Sequence, residues 1–207
     1  MLNLKLIDPK NTILLVIDIQ NDYCSKNGKV SLIRKRDVTP VQNIIIPLKK
    51  FIKETENENI PVIFTRMIED HHFMKENARI KFQSSLKPLD ICIPNTKGFD
   101  YFKIKPNKNN FEIIKKSYDT FSNPELEKIL KKLKIKNIIL TGAYTSVCVD
   151  STLRTAYTKG YNVIVPKDLV SMPKEKLYQH NATIDIWNSL FAHVVNSKEI
   201  ISLWGEK

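Results

Sequence analysis

Three kinds of reactive side chain each sit directly behind a short apolar run. Asp18 closes "TILLVID" (12–18), Lys115 and Lys116 follow "FEII" (111–114), and Cys148 lies just beyond "KNIILTG" (136–142). A carboxylate straight after apolar residues is costly unless it is paired or set at a cleft. One of the two lysines points inward if its segment alternates as a strand does. Cys148 lies in "TGAYTSVCVDS" (141–151), where an apolar run turns into a helical pattern. The unpaired N–H groups and dipole of a helix start favour a thiolate of lowered pKa there. The same N–H groups can hold an oxyanion. Each residue also has a plainer reading: Asp18 as a cap, the lysines as solvated charges, Cys148 as a small core residue. Taken together, a thiol, an acid and an ammonium at the ends of adjacent parallel strands supply a nucleophile, a proton carrier and a charge stabiliser.

The elements that must position them are strands alternating with helices. To the runs above are added "IPVIFTR" (60–66), "YNVIVPKD" (161–168) and "AHVVNS" (192–197), all β-branched and nearly continuous, as in strands buried on both faces. Between them, 37–59 shows helical spacing with Pro47 as a candidate kink. A second helix starts at Asn123 as cap with Pro124 behind it, and a third, 147–160, ends at Gly160. A last helix spans 173–192, while 67–110 is long and weakly periodic. This alternation predicts a three-layer α-β-α, Rossmann-like domain over 1–207, with a mostly parallel sheet of about six strands. Ligands of such sheets bind beyond the C-terminal strand ends. That draws attention to Asp18, Arg66, Lys115 or Lys116, Gly142 to Cys148, and Asp168.

Composition narrows the classes. The 207 residues are 42% hydrophobic and 27% charged, with no apolar run long enough to span a bilayer. The opening "MLNLKLIDPKN" lacks the order of a signal peptide, so a cytoplasmic protein is expected. Cys24, Cys92 and Cys148 form no CxxC pair and read as free thiols rather than disulfide or zinc ligands. The net charge of +11 is spread through segments such as "KKLKIK" (131–136) without interleaved aromatics. It reads as solvated faces, not as a nucleic-acid surface.

Three segments together resemble the isochorismatase-like cysteine hydrolases, a family that includes nicotinamidases, carbamoylsarcosine amidohydrolases and ureido-cleaving enzymes. "LLVIDIQNDYC" (14–24) is similar to the family's opening strand with its catalytic aspartate, which points to Asp18. "IIKKSYDTFSNPELEKIL" (113–130) resembles the segment whose lysine lies six before a phenylalanine; counting back from Phe121 gives Lys115. "LTGAYTSVCVDSTLRTAYTKGYNVIVPKD" (140–168) is similar to the block that carries the nucleophile, which points to Cys148. The resemblance also implies a cis Ala143–Tyr144 bond and an oxyanion hole from the N–H groups of Tyr144 and Cys148. It implies C–N bond hydrolysis of a small amide or ureido substrate without a cofactor, by a homodimer or homotetramer.

The departures matter as much. Nicotinamidases carry a metal behind the second strand, at positions that here hold Met67 and Glu69. A thioether is no substitute for a hard carboxylate ligand, so no metal is expected; His71 and His72 read as polar loop residues. A metal-assisted nicotinamidase, a vinyl ether hydrolase of the isochorismatase type and a non-catalytic binding protein are the alternatives. Cys148 and the filled acid and lysine positions weigh against the last two. Gln20, Tyr23, Arg66 and Thr145 are expected to complete the substrate pocket. Arg66 is either a carboxylate binder or a surface ion pair. Ser146 stands where many family members have aspartate, and the sequence does not explain it.

Overall fold

In a computed structural model that describes residues 7–73, 76–83 and 90–205, the apolar runs form one parallel sheet. Its strands are β1 (Thr12–Ile17), β2 (Val62–Met67), β3 (Phe111–Lys115), β4 (Asn137–Ala143), β5 (Asn162–Pro166), β6 (Val170–Ser171) and β7 (His193–Val195). The order is β3-β2-β1-β4-β5-β7, with the two-residue β6 also pairing with β4. The helices are α1 (Asn21–Cys24), α2 (Lys29–Leu32), α3 (Thr39–Asn43), α4 (Ile45–Asn57), α5 (Glu76–Gln83), α6 (Pro124–Lys132), α7 (Asp150–Thr158), α8 (Leu177–Leu190) and α9 (Ser197–Gly205). This is the expected three-layer architecture, with β6 added.

Every residue of β1 and β4 is buried, which explains why both runs are apolar without alternation. The side chains of β1 still alternate between two cores. Leu14 and Val16 pack with Leu48 and Phe51 of α4 and Trp204 of α9. Ile13, Leu15 and Ile17 pack with Leu126 of α6, Leu153 of α7 and Trp187 of α8. Each such side chain contributes about 1.5–3 kcal/mol by leaving water.

Local signals set the helix ends. Asn123 caps α6, its Oδ1 accepting the Glu125 N–H. Gly160 takes φ +86° behind α7, where the Tyr161 N–H reaches the Ala156 carbonyl. The 37–59 stretch is two helices rather than one kinked helix. Pro47 has no N–H to give the Asn43 carbonyl, and α3 ends at Asn43. The C-terminal α9 folds back on its own domain: Trp204 stacks on Phe51 at 5.6 Å and donates Nε1–H to the Ile7 carbonyl at 3.1 Å. Asp168 belongs to this packing. Its carboxylate accepts the Ser197 N–H at 2.7 Å and the Ser197 hydroxyl at 2.6 Å, so it holds the start of α9.

The long 67–110 stretch carries α5 and is tied to the first loop. Gln20 bridges to Tyr101, Glu69 bridges to Ile91, and the Asp22 carboxylate accepts the Cys92 N–H at 2.8 Å. Among the described residues no helix is long and apolar enough to cross a membrane.

Candidate active site

The ends of β1 and β4 approach too closely for a side chain. Ile17 is in register with Gly142, and a Cβ on Gly142 would lie 2.2 Å from the Ile17 carbonyl oxygen. Gly142 also adopts φ +109°, a conformation that favours glycine. The chain leaves β1 through Asp18 at φ +50°, in the left-handed region that aspartate tolerates better than most residues. Its carboxylate is fully buried and fixed from β2: the Thr65 hydroxyl donates to Asp18 Oδ1 at 2.6 Å.

Strand alternation decides between the two lysines. Lys115 is buried, whereas Lys116 points outward over the Phe73 ring. Lys115 Nζ lies 2.7 Å from Asp18 Oδ2 and donates to the carbonyls of Ser117 (3.2 Å) and Tyr118 (3.1 Å). The three strands are not all adjacent, contrary to the sequence expectation. β2 lies between β3 and β1, so Lys115 reaches Asp18 over Met67, its own register partner on β2. The Met67 sulfur sits 3.8 Å below the ammonium.

The third group enters from β4. The Ala143–Tyr144 peptide is cis, and the chain then makes a π-helical turn, Thr145–Val149, that runs into α7. Cys148 lies in this turn, buried and close enough to Asp18 and Lys115 for their charges to act on its thiol. The Cys148 carbonyl accepts the Thr152 hydroxyl at 2.8 Å, which ties the turn to α7.

The electrostatics differ from the sequence expectation of a lowered thiol pKa. Burial pushes the Cys148 thiol well up; Lys115 pulls it down, and the Asp18 carboxylate pushes it up again. Burial also acts to lower the Lys115 pKa, but Asp18 and Cys148 outweigh it and the net shift is upward. The resting site is therefore a neutral thiol beside a buried lysine–aspartate ion pair. The thiol needs a base to take its proton, and Asp18 is the carboxylate beside it.

Cys148 opens onto a cavity of about 840 Å³ walled by Tyr23, Tyr118, Ala143, Tyr144 and Met172. Of the four residues expected to complete the pocket, Tyr23 lines it and three do not. Gln20 is buried as a clamp, donating to the Met67 and Phe99 carbonyls and accepting the Met67 N–H. Thr145 pairs its hydroxyl with His180 Nδ1 at 2.8 Å. Arg66 lies outside, bound to Glu112 at 2.7 Å and stacked on Phe99 and Tyr101. Its guanidinium is engaged in that ion pair, away from the cavity at Cys148. Ser146 donates to the Met172 sulfur at 3.6 Å, and nothing in the structure explains its choice over aspartate.

Met67 and Glu69 do not provide a metal site. The thioether faces the Lys115 ammonium, and buried Glu69 accepts the Tyr23 hydroxyl at 3.0 Å with Arg34 at 3.5 Å. Donor atoms of Asp70, His71 and His72 do lie within 4.8 Å of one another, but none of the three lines the cavity at Cys148. Sequence reasoning missed Tyr118 as a wall residue, although it stands three after Lys115 in the same motif.

The Isochorismatase domain family matches residues 12–199. The chain belongs to this family. Among curated relatives, the ureidoacrylate amidohydrolase RutB of Pantoea ananatis is 27% identical over 204 residues, covering 89% of this chain and 81% of that one. The uncharacterized isochorismatase family protein YaaI of Bacillus subtilis is 25% identical, covering 91% and 95%. The solved structure of a cysteine hydrolase from Pseudomonas syringae pv. phaseolicola superposes with a TM-score of 0.83 at 19% identity, over 97% of this chain and 95% of that one. That of N-carbamoylsarcosine amidase from Thermoplasma acidophilum gives 0.71 at 19%, over 90% and 96%. At such identities the two structures establish the isochorismatase-like fold.

Proposed function

We propose that this chain is a single-domain cysteine hydrolase that cleaves a C–N bond of a small amide or ureido compound, with Asp18, Lys115 and Cys148 as its catalytic residues. The observation that carries the reading is the buried Lys115–Asp18 contact of 2.7 Å, with both charges acting on the thiol of Cys148 at the wall of a cavity. Curated relatives named for ureidoacrylate hydrolysis support the substrate class.

The groups act in sequence. Asp18 takes the thiol proton while Lys115 stabilises the thiolate, which attacks the carbonyl carbon. The N–H groups of Tyr144 and Cys148 hold the oxyanion, and loss of one such donor typically costs on the order of 10²-fold or more. Asp18 gives its proton to the departing amine or ammonia as the C–N bond breaks, leaving a thioester. It then takes a proton from water, whose oxygen attacks the thioester carbon; the C–S bond breaks, the carboxylic acid product leaves, and Asp18 returns the proton to the sulfur. No cofactor is required by these steps.

The test is an ammonia-release screen over small amides, ureido acids and nicotinamide, with and without a chelator. We expect turnover that survives chelation and vanishes in Cys148→Ala. A Cys148→Ala protein that retains turnover would overturn the reading. The free, buried cysteines fit a cytoplasmic protein. Exposed Tyr178, Ile186 and Leu190 recur along α8, which fits a homodimer or homotetramer, tested by light scattering on the purified chain.

A further inference from the structure

The cavity at Cys148 has a strongly uneven charge. Four cationic side chains line it, Arg34, Lys35, Arg36 and Lys176, against one acid, Glu69. They come from two turns far apart in sequence that are pinned together. The Asp37 N–H donates to the Glu175 carboxylate at 3.1 Å, and the Lys174 N–H donates to the Asp37 carbonyl at 2.8 Å. The pin joins the turn after α2 to the turn before α8 and makes one basic rim.

Arg34 stands deepest in its consequences. Its Nη2 lies 3.5 Å from buried Glu69, and its charge acts on Tyr118 and Tyr144, two wall residues of the cavity. Among the described residues Glu69 is its one salt-bridge partner, and a guanidinium has five N–H donors to place. Glu69 sits inside the wall with 6% exposure and also accepts the Tyr23 hydroxyl. It orients the guanidinium without using up its donors. Arg36 acts on the Glu175 carboxylate of the pin and Lys176 reaches the Tyr178 hydroxyl, so four cations against Glu69 and Glu175 leave a net positive field over the mouth.

We propose that this rim selects a substrate carrying a carboxylate at the end remote from the scissile C–N bond, with Arg34 as its anchor. The proposal rests on the hydrolase reading for the C–N bond, and it assigns a role to the charge that the sequence left as solvated surface. Arginine presents paired donors that match a carboxylate, which lysine does not.

Occupancy of the cavity can be read without turnover, from protection of Cys148 against iodoacetamide, followed by mass spectrometry of its peptide. The probes are 3-ureidopropionate and succinamate, each compared with its methyl ester. We expect each acid to protect at concentrations roughly tenfold or more below its ester, as a charge-assisted hydrogen bond implies. Arg34→Gln should erase that preference, Arg34→Lys should restore part of it, and added salt should narrow it. Lys198→Gln, an exposed control, should leave it unchanged. Esters that protect as well as acids, no protection by either acid, or a full preference in Arg34→Gln would each overturn the rim. The two readings fail separately. Acid preference with no C–N cleavage of any compound retains the rim and removes the hydrolase. Cleavage of neutral amides that depends on Cys148, with no advantage for acids, does the reverse.

Discussion

Thr65 and Asp18 exchange two hydrogen bonds: the Thr65 hydroxyl donates to Asp18 Oδ1 at 2.6 Å and accepts the Asp18 N–H at 3.2 Å. One oxygen of the carboxylate is thereby fixed and the other is turned to Lys115 at 2.7 Å. A threonine that does not line the cavity thus aims the Asp18 carboxylate. Thr65→Val keeps the shape and removes the hydroxyl. The expected outcome is a loss of roughly tenfold in kcat with KM little changed, the size of one charge-assisted hydrogen bond. Steady-state kinetics beside a thermal melt decides it; an unaltered kcat in a folded variant removes Thr65 from the site.

The Lys115–Asp18 pair is buried on both sides. Lys115→Met leaves the carboxylate without its counter-ion, and breaking such a pair costs about 3–5 kcal/mol. Adding Asp18→Asn should return much of that stability while activity stays absent. Urea unfolding of the two single variants and the double variant measures the coupling. A double variant no more stable than Lys115→Met would contradict it.

Alkaline pH should destabilise the protein through its thiols. Burial is the main cause holding Cys24, Cys92 and Cys148 above the ordinary thiol value of roughly 8.5. A group that binds its proton more tightly in the folded state contributes stability below the unfolded pKa, and that contribution is lost as pH rises past it. Unfolding free energy should fall from about pH 8.5 upward, and Cys24→Ala should reduce the slope. In the absence of substrate, labelling of Cys148 should climb through the same range instead of levelling off near neutrality.

Arg66 and Asp168 provide the contrast. Arg66→Ala removes a partly exposed ion pair and its ring contacts, so KM should not change and stability should fall by about 1 kcal/mol. Asp168→Ala should destabilise by about 1–2 kcal/mol through the start of α9, with kcat unchanged. An increase in KM for Arg66→Ala would return it to the substrate site.

The positions of Asp18 and Cys148 in the fold were partly readable in advance: Asp18 is a costly side chain behind the apolar run of β1, and Cys148 stands where the run of β4 gives way to a helical pattern. Lys115 needed more, since two lysines are adjacent and the alternation of a five-residue strand settles them only once its ends are known. The sequence could not reveal that β3 joins β2 rather than β1, because crossover order leaves no local trace. The pocket was harder still. Arg66 and Arg34 are both arginines near strand or helix ends, and only the fold shows that one meets Glu112 and the other Glu69. The thiol pKa went the other way because burial and a neighbouring carboxylate, neither visible locally, outweigh a helix start.

The pin between Asp37 and Glu175 divides labour in this molecule. Asp18 and Lys115 sit at strand ends and Cys148 in the turn behind β4, whereas the charges over the mouth sit on two surface turns. Changes in those turns could retune what the enzyme accepts while the reacting atoms keep their places. Grafting 34–37 together with 174–176 into a relative is therefore the smallest exchange that could carry a preference across, and grafting either turn alone would break the pin.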